Sequence, residues 1–172
     1  GGGAVSASVY LQGLGLVCAL GADAASAYAG LLRTDAPGGV APTDAYSPGR
    51  ALHLGVAAGA WQAPIDVERP LRSRNNAMLD GALAGLQPTL RNKLDGIAPT
   101  RIGVIIGSST SGIAEGEAAI AALLRDGRMP ADFHYGQQDL YSAARFVAMR
   151  IGARGPSVTL STACSSGAKA LA

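Results

Sequence analysis

A short apolar run leads directly into a cysteine, and this transition constrains the fold more than any other feature of the chain. Val158, Thr159 and Leu160 precede Cys164, and the small residues and helix formers of 165–171 follow it. The pattern predicts a strand, a sharp turn that carries the thiol, and the first turns of a helix. Unpaired N–H groups at the start of that helix favour the thiolate form of the cysteine. The residues alone leave two alternatives, a nucleophile suited to acyl transfer and a cysteine that serves as a small apolar side chain.

The composition favours a folded α/β domain and argues against several classes of protein. Of the 172 residues, 48% are hydrophobic and 15% are charged, which is unlike a disordered chain. The net charge of +2 gives no reason to expect binding to nucleic acid or to a membrane surface. No apolar run reaches the length of a membrane span. We therefore expect one domain over residues 1–172, with no nucleic-acid or membrane partner.

The cysteines and histidines give no sign of a metal centre or a disulfide framework. The chain has two residues of each type, and their spacing matches no common ligand pattern. Cys18 follows Leu16 and Val17, so we expect it to be a buried small hydrophobe. Two cysteines without a framework indicate a cytoplasmic protein with reduced thiols, and we expect no metal and no cofactor.

Hydrophobic periodicity and turn residues predict alternating helices and strands. Pro88 is expected to interrupt a helix over 72–86, so that 90–94 forms a separate turn of helix. The prolines and glycines of 35–48 predict a loop. The order β-α-β-α-α-β-α indicates an α/β sheet with parallel or mixed strands. The remaining elements are strands over 5–16, 52–56, 102–106 and 158–160, and helices over 24–32, 113–124 and 140–151.

Three segments resemble the β-ketoacyl synthases, the condensing enzymes of fatty acid and polyketide assembly. They are Val9–Gly21 with its Gly-Leu-Gly turn, Arg101–Ile113 with its glycine-rich loop, and Ile151–Gly167 with its Gly-Pro approach to Thr-Ala-Cys-Ser-Ser-Gly. The resemblance implies a thiolase-like fold, of which this chain is the amino-terminal βαβαβαββ half, ending within the nucleophile helix. The two catalytic histidines of the family lie downstream of the cysteine, so we expect the carboxyl-terminal half to be absent here. The stretch 109–117 is similar to a bacterial branch associated with aryl polyene pigments.

The resemblance also implies roles for particular residues. Cys164 is matched to the nucleophile that accepts an acyl group from the phosphopantetheine arm of an acyl carrier protein. Ser111 and Gly112 are expected to line the floor of the acyl pocket. His134 falls where the family approaches the acyl pocket of the partner subunit, usually with an aromatic or aliphatic side chain. An ordinary loop histidine is the alternative for His134.

Arg69, Arg72 and Arg74 form a basic cluster near the start of a predicted helix, where the helix dipole alone would disfavour them. The family places a docking patch for the acidic helix of a carrier protein near this segment. The alternative is a solvated basic face without a partner.

The resulting functional prediction is an acyltransferase that catalyses decarboxylative Claisen condensation of an acyl-enzyme thioester with malonyl-carrier protein. Dimers are the family rule, with an identical or a related synthase subunit as the second copy. Two alternatives remain: a thiolase, which shares the fold and a cysteine nucleophile, and a non-catalytic subunit resembling a chain length factor. Acylation of Cys164 distinguishes the catalytic from the non-catalytic interpretation.

Overall fold

The part of the molecule that carries the cysteine consists of two parallel strands and the helices packed around them. The computed structural model describes residues 9–34, 38–57 and 59–172. Short 3-10 turns occupy 69–71, 99–101 and 135–138. The alternation of helices and strands confirms the predicted α/β class. In chain order the elements are α1 (Ala24–Leu31), β1 (Val40–Thr43), β2 (Leu52–Gly55), α2 (Arg74–Leu94), β3 (Val104–Gly107), α3 (Ile113–Asp126), α4 (Tyr141–Ile151), β4 (Ser157–Leu160) and α5 (Ser166–Leu171).

The strands β3 and β4 are parallel, and their register places Val104 opposite Ser157 and Gly107 opposite Leu160. The connection between them runs through α3 and α4, because parallel strands need a long crossover. The ladder continues past β3, where the Ser108 N–H donates to the carbonyl of Leu160 at 3.1 Å. The carboxyl ends of both strands therefore lie at one edge of the sheet.

The apolar core lies between α2, α4 and one face of β3. Phe146 of α4 is fully buried and Leu71 is 1% exposed. Leu83 of α2 and Val104 of β3 belong to the same cluster. Burial of a side chain of this size stabilises the fold by about 1.5–3 kcal/mol. This core holds β3 in place, and β3 positions the cysteine turn.

Two buried polar residues connect α2 and α4 inside the core. Asn76 Nδ2 donates to the Leu71 carbonyl at 2.9 Å and to Ser142 Oγ at 3.1 Å. Ser142 Oγ in turn donates to the Pro70 carbonyl at 3.1 Å. Ser73 caps α2 by accepting the Asn76 N–H at 3.1 Å. These bonds fix the segment before α2 against α4.

An arginine on α4 joins three parts of the chain. Arg150 donates to Asp66 at 2.6 Å and to Asp80 of α2 at 3.0 Å. Its guanidinium carbon lies 5.0 Å from the centre of the Phe146 ring. The hydrogen bond from Arg150 holds the pKa of the Asp66 carboxyl below its usual value.

Most of the predicted elements are present, with ends shifted by one or two residues. Those confirmed in this way are the helices over 24–32, 113–124 and 140–151 and the strands over 52–56, 102–106 and 158–160. A capping box accounts for the first helix: Asp23 Oδ1 accepts the Ser26 N–H at 2.7 Å, and Ser26 Oγ accepts the Asp23 N–H at 3.3 Å.

The strand predicted over 5–16 is wrong where the structure describes it. Residues 5–8 lie outside the described residues, and 9–17 form no strand. Val9 is 91% exposed and Leu11 is 85% exposed. An apolar run forms a buried strand only when a neighbouring strand bonds to its backbone N–H and carbonyl groups. Within the described ranges β3 pairs with β4 alone, so residues 9–17 have no strand partner in that sheet. Cys18, predicted to be buried, is half-buried.

The loop predicted over 35–48 contains a strand. Residues 35–37 lie outside the described residues, and β1 occupies Val40–Thr43. It pairs antiparallel with β2, with Pro42 opposite the exposed His53. Proline is tolerated there because each strand of a two-stranded sheet is an edge strand.

The interruption predicted at Pro88 is also wrong. α2 continues through Pro88 to Leu94 as one helix of 21 residues. Proline removes one backbone hydrogen bond and strains the preceding turn. Leu83 before it and Leu90 after it both pack on the same core, so tertiary packing on either side keeps the helix continuous.

Candidate active site

Cys164 lies on the turn between β4 and α5, and its side chain is exposed. Ala163, the residue before it, has a φ of 52° and is the only non-glycine residue with positive φ in the described part of the chain. A left-handed conformation costs an L-residue roughly 1–2 kcal/mol. The surrounding structure must compensate for this strain if the thiol is to keep its place.

Three hydroxyl groups hold the strained turn. Ser166 is buried; its Oγ donates to the Ala163 carbonyl at 2.7 Å and accepts the Thr162 N–H at 2.9 Å. Ser165 Oγ donates to the Thr162 carbonyl at 2.8 Å and lies 2.9 Å from Thr162 Oγ1. The backbone before Cys164 is therefore bonded to the side chains after it, and these bonds fix the turn on which the thiol lies.

A glycine at the end of β3 allows the cysteine helix to approach the sheet. A Cβ at Gly107 would lie 2.3 Å from the carbonyl oxygen of Ser166, a distance that no side chain can occupy. Since Ser166 holds the turn, Gly107 fixes how close the thiol stands to the sheet edge. In the sequence, Gly107 is one of several glycines of the segment 101–113, and nothing local distinguishes it.

The candidate pocket residues follow the neighbouring strand at the same edge. Ser111 is buried, and its Oγ donates to the Gln137 carbonyl at 3.1 Å. Gly112 begins α3 with a φ of 55°, and a Cβ there would lie 2.1 Å from the same carbonyl oxygen. Because β3 and β4 are parallel, the loop that carries Ser111 and the turn that carries Cys164 emerge together.

His134 is exposed and caps the 3-10 turn over 135–138. Its Nδ1 accepts the Gly136 N–H at 2.9 Å, so one ring nitrogen is used by the turn itself. Phe133 and Tyr135 flank it with their rings in edge-to-face contact, 5.2 Å between centroids. The loop thus presents two aromatic side chains beside the histidine.

The three arginines occupy different environments. Arg69 is exposed and donates to the Ala131 carbonyl at 3.1 Å. Arg72 is half-buried, and its Nε donates to the Val67 carbonyl at 2.7 Å. Arg74 is exposed at the first position of α2. The guanidinium of Arg72 therefore supports local structure from a half-buried position, while Arg69 and Arg74 are exposed.

A small cavity brings two groups of predicted residues together. Arg74, Ser111 and Gly112 line a cavity of about 140 Å³ between α2 and the start of α3. Glu115 lines it as well, and its Oε1 accepts the backbone N–H of Arg74 at 2.6 Å. Cys164 is not among the residues that line this cavity.

Sequence reasoning missed Gln137 and the strained conformation of Ala163. Gln137 is three residues after His134, the spacing of a capping box, and that pattern was a usable signal. An alanine with positive φ leaves no trace in sequence, because alanine is not a residue that favours that conformation.

In residues 9–34, 38–57 and 59–172, no cluster of three or more His, Cys, Asp or Glu side chains is placed to hold a metal ion. None of the helices in these ranges combines the length and apolarity needed to span a membrane.

Comparison with known proteins identifies the family. A family model described as the N-terminal domain of β-ketoacyl synthases matches residues 82–172, more than half of the chain. The chain belongs to the β-ketoacyl synthase family. The matched range runs from the middle of α2 through the Ser111 loop to the cysteine turn, so the family assignment covers both strands that meet at the candidate site.

A solved structure extends the similarity to most of the chain. The complex of the ketosynthase ApeO with its chain length factor ApeC, from Xenorhabdus doucetiae, contains a chain that is 32% identical, with a TM-score of 0.84 over 94% of the present chain. This similarity assigns the thiolase-like ketosynthase fold. The present chain covers 41% of that longer chain. No curated protein matches this sequence.

Proposed function

We propose that the protein is an acyltransferase that accepts an acyl group on Cys164 and condenses it with a malonyl group, losing carbon dioxide. The observation that carries this proposal is an exposed cysteine on a strained, hydroxyl-bonded turn between β4 and α5. Membership of the β-ketoacyl synthase family supports it.

The first step of the proposed reaction is transfer of the acyl group. The Cys164 thiolate attacks the thioester of an acyl carrier protein, the carbon–sulfur bond of the donor breaks, and the phosphopantetheine leaves as a thiolate, which takes a proton from solvent in place of the one that Cys164 gave up. The negative charge that develops on the carbonyl oxygen needs N–H donors aimed at it. The backbone N–H of Cys164, on its fixed turn, is the donor that we assign within this chain.

In the second step, malonyl-carrier protein loses carbon dioxide and its carbanion attacks the acyl-enzyme thioester. A carbon–carbon bond forms, the β-ketoacyl product stays on the carrier, and the Cys164 thiolate is regenerated. Groups that stabilise the enolate are required for this step. We assign no such group within this chain, so the second step is proposed on family membership alone.

The test is a condensation assay with acyl- and malonyl-carrier protein. We expect carbon dioxide release and a β-ketoacyl product with wild type, loss of product by at least about a thousandfold in Cys164→Ala, and wild-type rates in Cys18→Ala. Equal product formation by wild type and Cys164→Ala would contradict the proposal. Loss in both cysteine variants would indicate a structural effect.

Two alternative functions remain open to test. The non-catalytic alternative has one specific observation in its favour, which is that the similar solved complex contains a chain length factor as well as a ketosynthase. A protein of that kind would not form an acyl adduct on Cys164. A thiolase would form the adduct but would accept acetyl-coenzyme A, without decarboxylation, as its second substrate.

We propose that Arg69 and Arg74 contribute to docking of the acidic carrier protein, with Arg72 supporting the segment from within. Charge complementarity mainly raises the rate of association. The double variant Arg69→Glu/Arg74→Glu should slow acyl loading from carrier protein about tenfold or more and leave loading from a small thioester unchanged. Arg91→Glu is the matched control, since Arg91 is exposed at the other end of α2. Equal slowing with both donors would count against docking.

We propose further that Ser111, Gly112 and His134 shape the acyl pocket. His134→Phe should change the preferred acyl length, because it replaces a polar ring with an apolar one. His134→Asn is the control, since it retains an acceptor that caps the 3-10 turn. An unchanged product profile in His134→Phe would remove His134 from the pocket.

The proposed partners are an acyl carrier protein bearing phosphopantetheine and a second synthase subunit, identical or related. The solved complex of ApeO with ApeC supports the related subunit, and with the resemblance of 109–117 it favours the aryl polyene branch. Reduced thiols are the rule in the cytoplasm, so we propose that the reaction takes place there.

A further inference from the structure

Gln137 is a buried residue that bonds to three segments carrying candidate site residues, those with His134, Arg72 and Ser111. It is 5% exposed, although glutamine is a residue usually found at the surface. Its surroundings are the loop with His134, the segment before α2 and the start of α3. The polar atoms of a buried side-chain amide need hydrogen-bond partners to offset the loss of water.

The side-chain amide of Gln137 bonds to two segments that are far apart in sequence. Its Oε1 accepts the N–H of His134 at 2.8 Å. Its Nε2 donates to the backbone carbonyl of Arg72, 65 residues away. The amide therefore bonds the loop that carries His134 to the segment that carries the arginines.

The backbone of Gln137 meets the third segment. Its carbonyl accepts the Ser111 hydroxyl at 3.1 Å, and the Gly112 backbone packs so closely on the same oxygen that a Cβ at Gly112 would lie 2.1 Å away. By bonding on both sides, the Gln137 side chain thus fixes its own backbone carbonyl, against which Ser111 and Gly112 pack.

We infer that Gln137 is a positioning residue, which holds the Ser111–Gly112 floor at a set distance from the docking segment 69–74. It touches no substrate in this account; it acts through Arg72, His134 and Ser111. This inference rests on the proposed function for its catalytic consequence, which is selectivity among acyl chains delivered by the carrier protein. Its structural consequence, mechanical coupling of the two segments, stands independently of that function.

The variant Gln137→Leu removes both side-chain bonds at nearly constant volume. Buried backbone groups that lose a partner cost about 1–3 kcal/mol each, so local opening becomes easier. In hydrogen–deuterium exchange of the intact protein, we expect about tenfold faster exchange in both 69–74 and 109–113. Gln62→Leu is the control, because it makes the same change at an exposed position. Faster exchange confined to 134–138 would overturn the inference.

The catalytic readout is the ratio of kcat/KM values for a long and a short acyl group on the same carrier protein. We expect this ratio to change about tenfold in Gln137→Leu, whereas a merely structural loss lowers both values equally. An unchanged ratio would overturn the assignment to selectivity. If wild type forms no acyl adduct, the proposed function fails, and the exchange data still decide whether Gln137 couples the two segments.

Discussion

Residues 9–14 and residues 104–107 are both apolar runs that suggest a strand, yet only the second run forms one. Val104 is 5% exposed, is paired with β4 and belongs to the main core, whereas Val9 is 91% exposed. The difference lies in the neighbours rather than in the runs themselves. A parallel ladder on one side and α4 on one face cover β3. The lesson is that apolarity identifies a segment that needs covering, and the partner decides whether it becomes a strand.

The same contrast separates the region around α2 and α4 from the region before it. Around α2 and α4, Phe146 and Leu71 are almost fully enclosed, and Asn76 and Ser142 bond across the helices. In the earlier region, Tyr10 and Tyr46 are more than 70% exposed. Stability should therefore be unevenly distributed, and substitutions can test how unevenly.

The largest expected effect is that of Phe146→Ala. Removal of a fully buried aromatic ring leaves a cavity and should lower the free energy of unfolding by about 3–5 kcal/mol. Tyr10→Ala, in the exposed segment, should change it by less than about 0.5 kcal/mol. Urea unfolding followed by circular dichroism measures both. Equal losses in the two variants would show that residues 9–14 are as well covered as the core.

An intermediate effect is expected from the polar bonds between α2 and α4. Ser142→Ala should cost about 1–3 kcal/mol, because Asn76 Nδ2 loses a partner and the Pro70 carbonyl loses another. The double variant Asn76→Ala/Ser142→Ala should cost less than the sum of the single variants, since the two side chains share a bond. Additive losses in this double-mutant cycle would indicate that the two side chains do not interact.

The smallest expected effect concerns the ion pair of Arg150 with Asp66. The hydrogen bond from Arg150 lowers the pKa of Asp66 in the folded state. The stabilisation is therefore present above the pKa of Asp66 in the unfolded chain, about 4, and is lost as the pH falls through the lowered folded value. The difference in stability between wild type and Arg150→Met should be present at pH 7 and shrink below about pH 4.

Arg125→Met is the control for this measurement. Arg125 pairs with its sequence neighbour Asp126, and both side chains are exposed, so the pair is available in the unfolded chain as well. Its removal should leave the pH dependence of stability unchanged. A constant difference between wild type and Arg150→Met across the pH range would contradict the role assigned to Asp66.

The sequence predicts the elements whose signals are local. The helix over 24–32, the strand over 102–106 and the cysteine turn were all predicted from neighbouring residues. Pro88 was expected to break α2 because the local rule is steric, whereas Leu83 and Leu90 pack on one core and override it. The pairing of β1 with β2 is likewise a contact between segments that no single segment encodes.

The candidate site divides in the same way. Cys164, Ser111 and Gly112 were predicted as site residues from the family resemblance, and the parallel strands bring their loops to one edge. The sequence did not predict Gln137 or Gly107, because each contacts atoms more than 20 residues away along the chain. It did not predict the left-handed conformation of Ala163 either, because alanine does not favour that conformation.

Acylation of Cys164 is the central claim, and intact-mass measurement tests it most directly. The protein is incubated with acyl-carrier protein, and its mass is recorded before and after. The account predicts a mass increase equal to one acyl group, absent in Cys164→Ala and retained in Cys18→Ala. An adduct that persists in Cys164→Ala, or a wild-type protein that never acquires one, would contradict it.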